Sequence, residues 1–253
     1  MARVKLEDFR VRYGPWALVA GASEGLGAEF AAQLAARGLN LVLIARRAEA
    51  LEEVSAQLRR EYAVEVRVLA LDLARADLAA AVSETTDDLE IGLLVYNAAL
   101  SKIGPYFETA LDDHLRELDI NCRAPMTLAY LLGQPMLKRG RGGILLMSSL
   151  GGAQGSALLV NYTATKAYNR LLAEGLWDEL RARGVDVLTC CPPAVSTPGY
   201  LASAPKGSMS ALTPQAVASS ALAALGHGPT IIPGWSYRLA NFLMQRVLPR
   251  KTT

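Results

Sequence analysis

Trp16-Ala17-Leu18-Val19-Ala20-Gly21-Ala22-Ser23-Glu24-Gly25-Leu26-Gly27 begins with five apolar residues in a row and ends with three glycines in seven positions. The run 16–20 predicts a short buried strand. Residues 28–37 have helical spacing, and Gly38 stands where a helix stop belongs. Between strand and helix, glycines allow a tight turn and let the backbone approach a pyrophosphate lying on the helix N-terminus. The spacing is G-x-x-x-G-x-G, not the commoner G-x-G-x-x-G. This reading puts Gly21, Ser23, Glu24, Gly25, Leu26 and Gly27 at a dinucleotide.

The same alternation continues outward along the chain. Further strands are expected at 39–45, 64–71, 91–96, 144–147, 185–191 and 230–232. Helices are expected at 48–62, within 72–90, at 111–138, from Tyr162 to 183 and at 213–225, with a helical tail at about 235–248. Pro125 is expected to kink or split the helix at 111–138. Repeated strand–helix–strand units imply a single α/β domain over 1–253. Its expected architecture is a doubly wound parallel sheet of about seven strands with helices on both faces. The Pro/Gly/Ser-rich stretch 193–212 follows the sixth strand at the carboxyl end of the sheet, and a lid is expected there.

Composition narrows the function classes. Half the 253 residues are hydrophobic, enough for a full core, and 26 basic side chains against 24 acidic ones leave no nucleic-acid footprint. Cys122, Cys190 and Cys191 make neither a disulfide framework nor a metal-ligand spacing, so no metal is expected and a reducing cytoplasm fits best. The opening MARVKLEDFRVRYGPW lacks the apolar core of a signal peptide, and no stretch is suited to span a bilayer. In the tail, Ala240, Phe242, Leu243, Val247 and Leu248 interleave with Arg238, Arg246, Arg250 and Lys251. That pattern suits docking on the body or a partner subunit better than weak contact with a membrane surface. His114 and His227 read as solvated or packed with no partner, Asp112 and Asp113 as first-turn acids, and Asn161 as the start of a helix.

The second strand carries the cofactor signal. About 20 residues beyond the glycines, an NAD-binding chain sets an acid against the ribose hydroxyls. Here the strand ends Ile44-Ala45-Arg46-Arg47. Guanidinium groups suit a 2′-phosphate, and a helix start is a poor place for cations unless something anionic belongs there. NADP(H) is therefore expected in preference to NAD(H), with Glu24 as the opposing feature.

A second constellation lies in Ser148–Lys166, SSLGGAQGSALLVNYTATK. Tyr162 and Lys166 stand four apart, on one face of a helix. Ser149 lies thirteen residues before the tyrosine, at the end of the apolar run GGILLM. A tyrosine with a pKa near ~10 donates its proton poorly at neutral pH. A nearby ammonium stabilises the phenolate, and a tenfold gain in acidity corresponds to about 1.4 kcal/mol of that stabilisation. With Ser149 holding the oxygen that Tyr162 protonates, the set performs general acid catalysis on a carbonyl. Alone, Tyr-x-x-x-Lys is an ordinary helix pair; the glycine loop gives it meaning.

Together these motifs make the chain similar to the classical short-chain dehydrogenase/reductase family, from about residue 16 to 232. The family's T-G-x-x-x-G-x-G is matched from Ala20 to Gly27, with alanine for threonine. Asp72-Leu73 resembles the pair that contacts adenine. Tyr96-Asn97-Ala98-Ala99 resembles N-N-A-G, departing at both ends. Asn121 matches the helix asparagine that organises a water leading to the lysine, and Ser149, Tyr162 and Lys166 match the rest of the catalytic tetrad. Pro192-Pro193-Ala194-Val195-Ser196-Thr197 resembles the P-G-x-V-x-T segment that holds the nicotinamide carboxamide, with Pro193 for glycine. The resemblance thus adds Asn97, Ala98, Ala99, Pro192, Val195 and Thr197, and the ribose-binding Tyr162 and Lys166, to the cofactor set.

The implied activity is reversible, NADPH-dependent reduction of a ketone or aldehyde. The expected pocket is apolar, drawing on Leu150, Ala153, Ala157, Leu158, Leu159, Tyr200 and Leu201, and suits a steroid, acyl chain or xenobiotic ketone. A 3-oxoacyl thioester reductase is the alternative within this class, and a non-catalytic NADP-binding sensor the alternative outside it. By family analogy the helices around 111–138 and 162–183 pack in a homodimer or homotetramer.

Overall fold

The computed structural model describes residues 6–203 and 211–246. Seven strands form one sheet: β1 Trp16–Ala20, β2 Asn40–Ala45, β3 Val66–Ala70, β4 Ile91–Tyr96, β5 Gly142–Met147, β6 Val185–Cys190 and β7 Thr230–Ile231. Every pairing is parallel, in the order β3-β2-β1-β4-β5-β6-β7. The apolar runs are legible because a parallel sheet is covered on both faces, so successive side chains are all buried. Along β1, Ala17 and Val19 enter one core while Trp16, Leu18 and Ala20 enter the other.

Ten helices flank the sheet among the described residues: α1 Leu6–Tyr13, α2 Gly25–Ala35, α3 Ala48–Glu61, α4 Leu78–Thr86, α5 Leu111–Leu118, α6 Ala124–Arg139, α7 Val160–Leu180, α8 Pro198–Ser203, α9 Pro214–Ala224 and α10 Trp235–Arg246. Helices α2 and α9 close the first core, while α4, α6 and α7 close the second. The sequence reading did not foresee α1. Among its described side chains only Phe9 and Tyr13, one turn apart, are buried, too faint a pattern against exposed neighbours from Asp8 to Arg12. Tyr13 Oη donates to Asp186 Oδ2 at 2.6 Å and Arg12 grips the same carboxylate, tying α1 to the start of β6.

The long helical region is divided just before Pro125, by a π turn, Asp119–Arg123, between α5 and α6; Pro125 sits in the first turn of α6 and has no N–H for Asn121 O, which accepts from Asn169 instead. Residues 204–210 of the expected lid and 247–253 of the tail lie outside the described residues.

Candidate active site

Strand order reverses between β1 and β4, and the cleft at their carboxyl ends is where open α/β sheets bind ligands. The glycine loop forms its floor. Gly21 N–H donates to Ile44 O at 2.7 Å with φ of +83°, and a Cβ there would meet the Ala98 backbone at 2.7 Å. A Cβ on Gly27 would come within 1.8 Å of Gly21 O. Asn97 Nδ2 donates to that same oxygen at 3.0 Å, and Asn97 and Ala98 N–H both donate to Ala20 O. The turn is thus held bare of side chains beside the first turn of α2.

The resulting cavity, about 360 Å³, is lined by Gly21, Ser23, Glu24, Gly25, Leu26, Arg46, Arg47, Asp72, Leu73, Asn97, Ala98, Ala99 and Thr197 from the expected cofactor set. Ala45, Leu71, Leu100, Ile120 and Gly199 line it too and had carried no sequence signal. Gly27 stands behind its floor. Tyr162, Lys166, Pro192 and Val195 are outside its lining among the described residues, further along the carboxyl edge. A bare glycine turn at a helix start, with arginines at the far end, fits a dinucleotide.

Charge at the arginine end is already partly matched. Arg47 Nη2 lies 2.7 Å from Glu24 Oε2 and 3.4 Å from Ser23 Oγ. No ion pair holds Arg46 among the described residues. Asp72 Oδ2 pairs with Arg116 Nη2 at 2.5 Å, and Oδ1 accepts from Ala74 N–H. Burial opposes the Asp72 charge, but these donors and the nearby Arg46 hold its carboxyl below the ordinary value. Arg116 was missed because an arginine in a charged helix reads as solvated.

The catalytic candidates gather where β5 ends. Ser149 caps the 3₁₀ turn Leu150–Ala153, its Oγ accepting from Gly151 N–H at 3.1 Å, and it is hydrogen-bonded to the Tyr162 hydroxyl. Ser148 faces the other way, donating to Lys166 O at 2.6 Å. Lys166 is 2% exposed; its Nζ donates to Met147 O at 3.0 Å and lies 5.6 Å from the Tyr162 ring centroid. Burial pulls the Lys166 ammonium down to about 8, against the charges of Cys122, Cys191 and Glu117. Burial likewise pushes the Tyr162 phenol up, opposed by the Ser149 hydrogen bond and reinforced by Glu117. Lysine proximity therefore does not prevail over desolvation in this state, contrary to the simplest reading of the spacing.

Asn121 lies in the π turn, fully buried. Its Nδ2 donates to Leu100 O and to Thr165 Oγ1, and its Oδ1 accepts from Leu100 N–H, pinning the end of β4 to α7. The wider turn alters the local carbonyl pairing, and side chains take up two of its oxygens. Tyr96 Oη donates to Ile120 O at 2.5 Å, and Asn169 Nδ2 to Asn121 O at 2.9 Å. Tyr96, one of the departures from the family pattern, thus has a structural use.

Beyond β6, Leu150 N–H donates to Pro192 O, and Val195 forms a parallel bridge with Leu212 that anchors the expected lid at both ends. Leu150 and Leu159 flank the Ser149–Tyr162 pair in sequence. Leu158 adopts φ of +64° and is half exposed, Leu201 is exposed on α8, and α10 packs on the 3₁₀ turn. Tyr200 lies in the first turn of α8, its N–H donating to Thr197 Oγ1.

His114 is packed, as one of the two expectations had it, but not without a partner, and Asn161 does more than begin α7. His114 Nε2 lies 3.0 Å from Tyr106 O, and its ring stacks on Tyr106 at 4.4 Å. Asn161 Nδ2 donates to Glu117 Oε2 at 2.8 Å and to His114 O at 3.1 Å. Burial raises the Glu117 carboxyl above its ordinary value, opposed by the hydrogen bonds from Asn161 and the Lys102 N–H.

Residues 15–205 match the family model for short chain dehydrogenases. The chain belongs to the short-chain dehydrogenase family. A very-long-chain 3-oxoacyl-CoA reductase-like protein of Arabidopsis thaliana is 34% identical over 245 residues, 92% of this chain and 77% of that protein. A solved structure of a 7β-hydroxysteroid dehydrogenase superposes with a TM-score of 0.92 at 27% identity, covering 96% of each chain. A short-chain dehydrogenase from Sphingobium yanoikuyae, solved with NADPH, gives 0.82 at 28% identity, covering 94% of this chain and 97% of that one. This dehydrogenase is therefore an oxidoreductase using a nicotinamide dinucleotide, on the expected seven-stranded parallel fold. Among its described residues, no helix is long and apolar enough to cross a membrane.

Proposed function

We propose that this dehydrogenase reduces a ketone or aldehyde on an apolar skeleton with NADPH, reversibly. The carrying observation is the Tyr162 hydroxyl bound to Ser149 with the buried Lys166 ammonium beside the ring. When bound, the nicotinamide supplies the hydride. Ser149 orients the carbonyl oxygen, Tyr162 gives it a proton, and Lys166 stabilises the phenolate left behind. Asn121 holds the π turn and Leu100 in place around them. Arg46 and Arg47 support NADP(H) over NAD(H), as does the NADPH in the Sphingobium structure.

Leu150, Leu159 and Tyr200, with the exposed Leu158 and Leu201, frame an apolar entrance that suits a steroid or acyl-chain ketone. The name of the Arabidopsis relative favours a 3-oxoacyl thioester as the second reading. Exposed Leu111, Leu115, Leu118, Met126, Tyr130 and Leu171 on α5, α6 and α7 support a homodimer or homotetramer, and the cytoplasm is the proposed compartment. Titration with NADPH and NADH, followed by ketone-dependent oxidation, tests the reading. Tyr162→Phe still binds NADPH through the glycine loop and the arginines and loses about 10³-fold in turnover; binding by the parent without turnover on any carbonyl would leave a sensor.

A further inference from the structure

Helix α10 presents its apolar side to solvent. Among its described side chains, Trp235, Leu239, Phe242 and Leu243 are exposed, the tryptophan by 72% and the phenylalanine by 58%. Spaced i, i+4, i+7 and i+8, they form one stripe along the helix. Tyr237 and Asn241, four apart on the opposite side, are half-buried. The Tyr237 ring folds back on Gly234, where a Cβ would lie 2.9 Å from it. The helix meets the body at the 3₁₀ turn Leu150–Ala153, the turn that Ser149 caps. Its apolar residues were expected to lie on the body or a partner subunit, and they point away from the body instead.

Charge is divided along the chain in the same way. All 24 acidic side chains lie at or before Asp186, whereas Lys206, Arg238, Arg246, Arg250 and Lys251 follow it. Residues 187–253 are therefore basic with no carboxylate side chain to answer them. A stripe of tryptophan, phenylalanine and leucine flanked by arginine suits the headgroup region of an anionic bilayer. A second copy of the chain suits it less. A two-fold contact through α10 would set this basic segment against itself. The helix has twelve residues, hence is about 18 Å long and ~10 Å across. One side of it falls far short of the ~800 Å² per partner that a stable interface buries.

We propose that α10 is a membrane-surface helix, laying Trp235, Leu239, Phe242 and Leu243 among the headgroups of an anionic bilayer, with Arg238 on lipid phosphate. The 3₁₀ turn and Ser149 are then held near the lipid surface, where an apolar ketone partitions. Only that supply of substrate rests on the proposed function; the docking does not.

Co-sedimentation of the full chain tests this, with vesicles of equimolar phosphatidylglycerol and phosphatidylcholine set against vesicles of phosphatidylcholine alone. The chain should bind the anionic vesicles about tenfold more tightly and lose most of that preference at high salt. Leu239→Ser combined with Phe242→Ser alters two exposed side chains and should weaken binding to both vesicles about tenfold. Arg238→Gln should cost about fivefold on the anionic vesicles alone. Of the three tryptophans, Trp16 is buried and Trp177 partly so. A blue shift in emission on adding vesicles, lost in Trp235→Phe, therefore reports on α10 itself. Sedimentation that vesicles do not change overturns the proposal, as does binding that the α10 variants leave intact. A change of oligomeric state in the double variant without lipid also overturns it, since the stripe is then a subunit contact. Ketone turnover by a chain that ignores vesicles would leave the functional reading standing and remove this one.

Discussion

At the scale of single residues, the proposed preference for NADPH is a contest for one guanidinium. Glu24 pairs with Arg47, and under that proposal a 2′-phosphate would have to open or share the pair. Glu24→Gln should tighten NADPH several-fold and leave NADH unchanged, whereas Arg46→Ala should weaken NADPH about tenfold; calorimetric titration of both cofactors reads this. Equal effects on the two cofactors would place the arginines away from the phosphate. That Ser149, Tyr162 and Lys166 come together was legible, because the proposed chemistry needs those types at that spacing. Glu117 was not, because a carboxylate within LDDHLRELD looks solvated, and only the outward leucines at 111, 115 and 118 hinted that the helix was inverted.

Elements show where local pattern and tertiary demand part company. The strands were read within a few residues because burial on both faces leaves unbroken apolar runs. The π turn left no such trace, since a turn of that kind is set by what its carbonyls meet. Tyr96→Phe leaves Ile120 O buried without its donor and should cost about 1–3 kcal/mol, read as a lowered melting temperature. A melt identical to the parent would mean that the carbonyl finds another donor. Gly27→Ala should abolish cofactor binding, because the added methyl would meet Gly21 O at 1.8 Å and force the turn open. Retained NADPH affinity in that variant would contradict the close packing of α2 on the loop.

Across the whole molecule, the active site costs stability. The Lys166 ammonium, pulled from 10.5 to about 8 by burial, penalises the folded state fully below pH 8 and progressively less as pH rises toward the unfolded value. Lys166→Met should therefore be more stable than the parent by about 3 kcal/mol at pH 7, with the difference closing toward pH 10.5. The buried phenols of Tyr13, Tyr96 and Tyr162 are all raised, so they stay protonated in the fold while their unfolded counterparts ionise above pH ~10. Stability should fall beyond that point in both proteins, and a calorimetric series in pH separates the two limbs. Helix α5 joins these costs to assembly. One face holds Glu117 and the His114 carbonyl on Asn161, the residue before Tyr162, and the other offers its leucines to a neighbouring subunit. Under the proposed assembly, dilution that separates subunits would bare those leucines and loosen the helix that steadies the start of α7. Turnover per subunit would then fall as this dehydrogenase is diluted.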